Sequence, residues 1–434
     1  MSRFLFVVPP LTGHVNPAAA IAGELVDRGH RAVVAGHPGT VGPLLGDRVP
    51  LMPLEAQLPA EERAEMERRA RGLRGVKSLK FLWEDFLIPL GRRMLPEVTR
   101  AVDAFAPDVL VADQQALAAA VAGRLRGLPW ATLATTPAEF DKPYGPLTGM
   151  GVWVAERVGS FQRECGVEDP RDPRFSEHLM LICSLRELLG PREFDARHVF
   201  VGAATGPRPP APPFPFELLD DDRPVVLVSL GTVTREAGGR FLAAAVAALD
   251  GLSSAVQGVI VAADGVLDDV PASVIVRPYV PQLALLPRTA MVISHAGNNT
   301  VCETLAAGRP LVLAPVRDDQ PTIAEQVVRA GAGERVRFGR VEADELREVI
   351  ARVLSEPSYR AAAQRLATGF AAAGGAAAAA DALEALAVQP SGVAGAARSV
   401  ARSRPAGAWS ANGSAGNGSA GSPPASADSP RQSR

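Results

Sequence analysis

The 434-residue chain has only three cysteines, Cys165, Cys183 and Cys302. The number is odd, no two are closely spaced and no CxxC occurs. That argues against a disulfide framework or a structural zinc site and fits a reducing cytoplasm. An excess of charge of one sign is also missing. Lys+Arg and Asp+Glu nearly balance, for a formal net charge of -2, so the basic field that usually marks a nucleic-acid partner is absent. Lysine is scarce while Ala, Arg, Gly and Pro are abundant, a coding bias with little chemical content. No run of 18 or more strongly apolar residues stands out, and the Ala-rich stretch 371–387 is too weakly apolar to span a bilayer. The opening "MSRFLFVVPPLTGH" has a short apolar run ended by Pro9 and Pro10 with no small-residue cleavage site after it. It reads as a buried strand, not a signal peptide. Neither GxGxxG nor GxxxxGK[ST] occurs at a strand-to-helix turn, the GNGSAG of 416–421 lying in the Gly/Ser-rich tail, which removes support for dinucleotide and P-loop readings, including a nicotinamide-dependent oxidoreductase.

What is present is an alternation of strands and helices. "FLFVVPP", then the helical "NPAAAIAGELVDRG", then "HRAVVAG" form a βαβ unit, and continuous apolar strands of this kind belong in a parallel sheet buried on both faces. "PDVLVAD" and "PWATLATTP" extend the series. Residues 55–105 mix charge with large apolar residues at helical spacing, and two readings stay open: excursions around a substrate cleft, or solvated amphipathic helices. Residues 137–176 show few clear periods. "GPRPPAPPFPFELLDDDRP" (206–224) reads as a semi-rigid linker. A second series follows with strands in "VVLVSLG", "GVIVAAD", "ASVIVRPYVP", "AMVISHAG" and "PLVLAPV". The expected organisation is a first domain over 1–205, a linker over 206–223 and a second domain over 224–388 whose last helix crosses back to the first. A tail at 389–434, dominated by Gly, Ser, Ala and Pro with five Arg and one Asp, should be disordered. The acidic runs at 220–222 and 268–269 read as solvated surface, without His or further acids at metal-ligand spacing.

Polar residues gather at strand ends, where open α/β sheets bind ligands. His14, in "LTGHVNP" (11–17), lies between the first strand and the first helix. A histidine there suits proton transfer near neutral pH, and the residues alone leave a simple helix-entry role open. Asp113, ending "VLVAD", is placed to orient an imidazole or to cap the next helix. In "VISHAGNNTVCETLAAG" (292–308) the amides of a helix starting near Asn298 favour an anion. Gly297 permits close backbone approach, His295, Asn299 and Thr300 add donors, and Glu303 is set to accept from paired hydroxyls such as those of a ribose. Asp319 and Gln320 in "APVRDDQP" suit sugar hydroxyls. Gly231 and Thr232 in "SLGT" and Tyr279 in "RPYVPQ", a stacking face for a base, complete the set.

In their order and spacing, "GHVNP", "YVPQ", "HAGNNTVCE" and "DDQ" resemble the family 1 glycosyltransferases of GT-B fold, the UDP-glycosyltransferase superfamily. The bacterial members that decorate natural products such as macrolides and carotenoids are nearest in look. The resemblance covers roughly residues 3–387. It implies an α/β GT-B chain, two Rossmann-like parallel-sheet domains facing across a cleft, and an inverting glycosyltransferase. His14 is then the general base, assisted by Asp113. His295, Asn299, Thr300, Thr232 and the helix amides hold the diphosphate; Tyr279, the Val280 backbone and Gln282 hold the base; Glu303 takes the ribose, and Asp319 with Gln320 the sugar. The implied donor is a dTDP- or UDP-sugar acting as co-substrate, with no metal or other cofactor, and the acceptor is a hydrophobic small molecule. No nucleic acid or stable membrane insertion is implied, and the expected particle is a cytoplasmic monomer or homodimer. The plant-type pattern has tryptophan at the positions of Tyr279 and Asn298, so this chain departs from it twice. A non-catalytic nucleotide-sugar-binding protein, or a GT-B-like nucleotide-sugar epimerase or hydrolase, stands as the alternative.

Overall fold

A computed structural model describes residues 1–388 except 56–59, 71, 72, 74, 142–148, 211 and 232–237. The expected tail at 389–434 and the Thr232 hydroxyl therefore lie outside the described residues. Two parallel sheets form the frame, within one compact unit over residues 1–391. The first contains β1 (Arg3–Val7), β2 (Arg31–Gly36), β3 (Leu51–Pro53), β4 (Val109–Asp113), β5 (Trp130–Ala134), β6 (Leu179–Ile182) and β7 (His198–Phe200), in the order β3-β2-β1-β4-β5-β6-β7. The second contains β8 (Val225–Ser229), β9 (Gln257–Val261), β10 (Val274–Arg277), β11 (Thr289–Ser294), β12 (Leu311–Leu313) and β13 (Gly333–Arg335), in the order β10-β9-β8-β11-β12-β13. β4, β5, β8 and β9 are buried along their whole length, because helices cover both faces. This is why their sequences are continuous apolar runs without alternation.

Chain order reverses between β1 and β4 in the first sheet and between β8 and β11 in the second. Such a reversal opens a crevice at the carboxyl ends of the two strands, since their helices leave to opposite faces. His14 follows β1 and Asp113 ends β4; Gly231 follows β8 and His295 follows β11.

Three local expectations are corrected. The first helix runs Thr12–Asp27, so "LTGHVNP" is mostly its first turns and Pro17 lies inside it. Proline is favoured at a helix start because it lacks an N–H; here it stands one turn further in, and the helix begins before the expected "NPAAAIAGELVDRG". Within 55–105, Ile88–Phe105 is a core helix: Leu90, Met94, Val98, Val102 and Phe105 pack on β1 and β4 residues. Only the charged helix Ala60–Ala70 has the polarity of a solvated element. The weakly periodic 137–176 holds a helix, Met150–Glu164, whose buried Val154, Val158 and Phe161 meet Trp83 and Leu117.

Among the described residues, Pro357–Val388 is long and apolar enough by length and composition to cross a membrane; it contains the 371–387 stretch, which alone is expected to be too weakly apolar. It consists of two helices, Pro357–Ala373 and Gly375–Val388, joined by Gly374 in the left-handed region at φ 78°, where glycine is favoured. Ala362, Ala363, Leu366 and Phe370 pack with β12 and the helix of "HAGNNTVCE". Ala379, Ala380, Leu383 and Leu386 instead enter the core beneath β1, β4 and the first helix. Each buried leucine contributes roughly 1.5–3 kcal/mol, so the second domain's last helix is anchored in the first.

Candidate active site

His14 is the third residue of the first helix, and Asp113 closes β4, the strand next to β1. Adjacent carboxyl ends bring the two side chains together across 99 residues of sequence. His14 Nδ1 lies 2.9 Å from Asp113 Oδ1 and 3.0 Å from Oδ2, with His14 8% and Asp113 2% exposed. The Gln115 backbone N–H donates to Asp113 Oδ1 at 2.8 Å, a turn bond ahead of the next helix, which starts at Leu117 with Ala116 at its N-cap and no side-chain cap; of the two roles open in the sequence, Asp113 takes the imidazole partner's and not the cap's. Thr135, just past β5, completes the group: its hydroxyl donates to Asp113 Oδ2 at 2.8 Å and its oxygen lies 2.8 Å from His14 Nδ1. A hydroxyl has one proton. With that proton on Asp113, Thr135 faces Nδ1 through a lone pair, and the proton of neutral His14 sits on Nδ1. Nε2 is then the basic nitrogen. Burial works against the imidazolium, but the charge and hydrogen bond of Asp113 outweigh it, with help from Asp319 and Glu139, and the His14 pKa is raised above 6.5.

Sequence reading missed Thr135, although it follows a strand end by the same logic that singled out Asp113. Glu139 was also missed. Its carboxylate accepts from Arg174 Nη1 at 2.6 Å and Gln114 Nε2 at 3.2 Å. Burial raises its pKa against the opposing pull of Arg174.

In the second domain the helix Asn298–Ala306 starts directly after the loop that follows β11, with Gly297 at its N-cap. His295 is buried beside it. A Cβ on Gly231 would stand 2.6 Å from His295 Cε1, and one on Gly297 would stand 2.5 Å from Nε2. Both glycines therefore make room for this ring, a closer reason for their presence than approach to a ligand. Burial lowers the His295 pKa to about 4, against a smaller pull from the Ser229 backbone. Its Nδ1 is buried and has no hydrogen-bond partner among the described residues.

Gln282 and Glu303 meet: Gln282 Nε2 donates to Glu303 Oε2 at 2.6 Å, and Arg208 of the linker pairs with Oε1. Nothing in a proline-rich linker signalled Arg208. Tyr279 is exposed and Val280 is buried in an apolar cluster with Phe214 and Leu285. Asp319 precedes the helix Gln320–Arg329. Burial and the neighbouring Asp318 push its carboxyl up to about 7, while His14 pulls it down, so the two domains' polar groups share one electrostatic site. Gln320 Oε1 accepts from the Val316 and Arg317 backbone N–H groups at 2.9 and 3.1 Å and holds the loop in shape.

Several of these residues also bridge the domains. Asn298 Nδ2 donates to the Cys183 carbonyl at 3.0 Å, Asn299 Nδ2 to the Gly13 carbonyl at 2.7 Å, and the Ser78 hydroxyl to Asp318 Oδ1 at 3.1 Å. Thr300 is half-buried, its carbonyl accepting from Thr304 Oγ1 at 2.6 Å. A crevice lined by Asn16, Pro17, Cys183, Asn298, Asn299 and Glu303 runs between the domains.

Comparison with known proteins adds to this geometry. Residues 178–370 match the family model described as UDP-glucoronosyl and UDP-glucosyl transferase. The chain is 28% identical over 411 residues to 4'-demethylrebeccamycin synthase of Lentzea aerocolonigenes, covering 86% of this chain and 96% of that protein. It is also 28% identical to demethyllactenocin mycarosyltransferase of Streptomyces fradiae, covering 84% and 82%. Among solved structures, the glycotransferase of kitacinnamycin aligns at a TM-score of 0.69 and 26% identity, covering 89% of this chain and 99% of that one. The spinosyn rhamnosyltransferase SpnG aligns at 0.70 and 22%, covering 88% and 100%, a likeness of fold.

Proposed function

From the premise that residues 178–370 belong to the UDP-glucoronosyl and UDP-glucosyl transferase family, and that the chain is accordingly a glycosyltransferase, we propose that it moves a sugar from a dTDP- or UDP-sugar to a hydroxyl of a hydrophobic natural product, with inversion. The observation that carries this reading is the buried His14–Asp113–Thr135 group, with Nδ1 as donor to the carboxylate, together with a second-domain helix start that bears Asn299 and Thr300 with His295 beside it. Natural-product acceptors are the substrates named for the relatives, which match along most of the chain.

In this reading His14 Nε2 takes the proton of the acceptor hydroxyl. The oxygen forms its bond to the anomeric carbon as the bond from that carbon to the phosphate oxygen breaks, and the electron pair leaves with the nucleoside diphosphate. Asp113 stabilises the imidazolium as it forms. The amides of the Asn298–Ala306 helix, with Asn299, Thr300, Thr232 and a neutral His295, meet the charge that develops on the diphosphate, and no metal is called upon. Tyr279, the Val280 backbone and Gln282 hold the base, and Asp319 with Gln320 the sugar. Glu303 takes the ribose; Arg208 and Gln282 fix its orientation, and each oxygen keeps a further lone pair.

The test joins binding to transfer. dTDP or UDP at about 100 times its Kd should add about 2.7 kcal/mol of apparent stability, read as a rise in melting temperature. His14→Ala should keep that rise and lose transfer by about 10²–10⁴-fold. A melting temperature indifferent to both nucleotides, or a His14→Ala chain that still transfers at full rate, ends the reading; the second outcome would favour an epimerase, hydrolase or auxiliary role.

A further inference from the structure

We infer that Asn299 is a positioning residue for His14, acting through a backbone carbonyl that Pro17 leaves unpaired. In an α-helix the carbonyl of residue i takes the N–H of residue i+4. For Gly13 that residue is Pro17, inside the helix Thr12–Asp27, and proline has no N–H. The Gly13 carbonyl thus lacks its helical partner and, at an exposed residue, is left to solvent or to a side chain from elsewhere. Asn299 Nδ2 of the second domain supplies the bond at 2.7 Å. No side chain caps this helix at Leu11, so the amide from across the cleft is the side-chain tie on its first turn besides those of His14. Gly13 immediately precedes His14, whose own N–H bonds to the Leu11 carbonyl at 2.9 Å. A bond on the Gly13 carbonyl therefore bears directly on the backbone that aims the imidazole.

A side-chain amide carries two N–H groups. One of Asn299's is on Gly13. The other is available to the diphosphate, and here the inference rests on the proposed function. One amide then touches both the leaving group and the carbonyl beside the base, so that donor occupancy is felt at the base helix. The bonds Asn298–Cys183 and Ser78–Asp318 cross the same junction independently, so loss of the Asn299 bond leaves the domains joined.

The experiment is backbone amide hydrogen exchange on the full chain, with and without saturating dTDP or UDP, in the native chain, Asn299→Asp and Pro17→Ala. Asn299→Asp keeps the shape and removes the N–H donor. Pro17→Ala gives Gly13 a helical partner, leaves Asn299 unchanged and favours the helix. In the native chain, nucleotide should slow exchange in the first two turns of the Thr12–Asp27 helix roughly three- to tenfold, the span one hydrogen bond gives. Both variants should lose that nucleotide-dependent slowing, and Pro17→Ala should bind nucleotide within about twofold of the native chain, a difference of under 0.5 kcal/mol. Slowing retained in either variant, or absent from a native chain that binds nucleotide, overturns the latch alone. A native chain that binds neither nucleotide removes the proposed function and the latch with it.

Discussion

The two domains place a histidine at the same topological point, after a strand that flanks the reversal of chain order, yet His14 and His295 are electrostatic opposites. Both are buried at 8% exposure, so burial alone would depress both. His14 faces Asp113 and its pKa ends above 6.5. His295 faces two glycines and peptide groups and ends at about 4. What decides the sign is one carboxylate at the neighbouring strand end. The fold supplies two equivalent niches; a paired charge makes one suited to carrying a proton, and its absence makes the other a neutral hydrogen-bonding group beside a helix N-terminus.

Removing that carboxylate should have the largest effect. Asp113→Asn takes away the charge that raises His14 and the acceptor-only partner that fixes its proton on Nδ1. Transfer should fall by about 10²–10⁴-fold, with nucleotide affinity unchanged because Asp113 lies in the other domain. The pH profile also has a definite sign. The base works when neutral, so the native rate falls as pH drops through the raised His14 value, and in Asp113→Asn that limb should move to lower pH. A variant that loses nucleotide affinity while keeping its rate would refute the assignment.

The contrast predicts opposite effects on stability. His14, raised in the fold, adds stability below 6.5 that is lost as pH rises through its folded value. His295, depressed in the fold, costs nothing at neutral pH. Below 6.5 the unfolded chain takes up a proton that the folded chain refuses down to about 4. The native chain should therefore lose on the order of 2 kcal/mol to His295 between pH 7 and pH 5. Urea unfolding at the two pH values should show a smaller loss in His295→Asn than in the native chain. An equal loss would mean that His295 is not held neutral.

The frame was more legible than the contacts. Nine of the strands lie in apolar runs evident in the sequence, because strands buried on both faces leave continuous hydrophobic segments. The strands not foreseen, β3, β6, β7 and β13, are three or four residues long; β10 and β12 are as short but lie in the apolar runs of "ASVIVRPYVP" and "PLVLAPV". The strand-end rule brought out His14, Asp113 and His295. It says nothing about pairings set by tertiary approach, and so Arg208 on Glu303 and Asn299 on Gly13 were invisible. The expected helix start, Asn16, falls too late: Pro17 lies inside the helix, and the bond its missing N–H leaves open is supplied from the second domain.

The smallest expected effect belongs to Thr135, and it refines the comparison because His295 has no such third member among the described residues. Thr135 is 4% exposed, so Thr135→Val keeps the volume and removes only the hydroxyl. Asp113 would retain the Gln115 N–H and His14 as partners, and the charge that raises His14 would remain. What disappears is one hydrogen bond to a carboxylate and one lone pair facing Nδ1, about 1.5 kcal/mol, or roughly tenfold in kcat. KM for the nucleotide sugar should not move, since the hydroxyl sits behind the imidazole, on the Asp113 side. A loss equal to that of Asp113→Asn would show that orientation of the pair matters more than its charge. No loss at all would reduce the group to the His14–Asp113 pair.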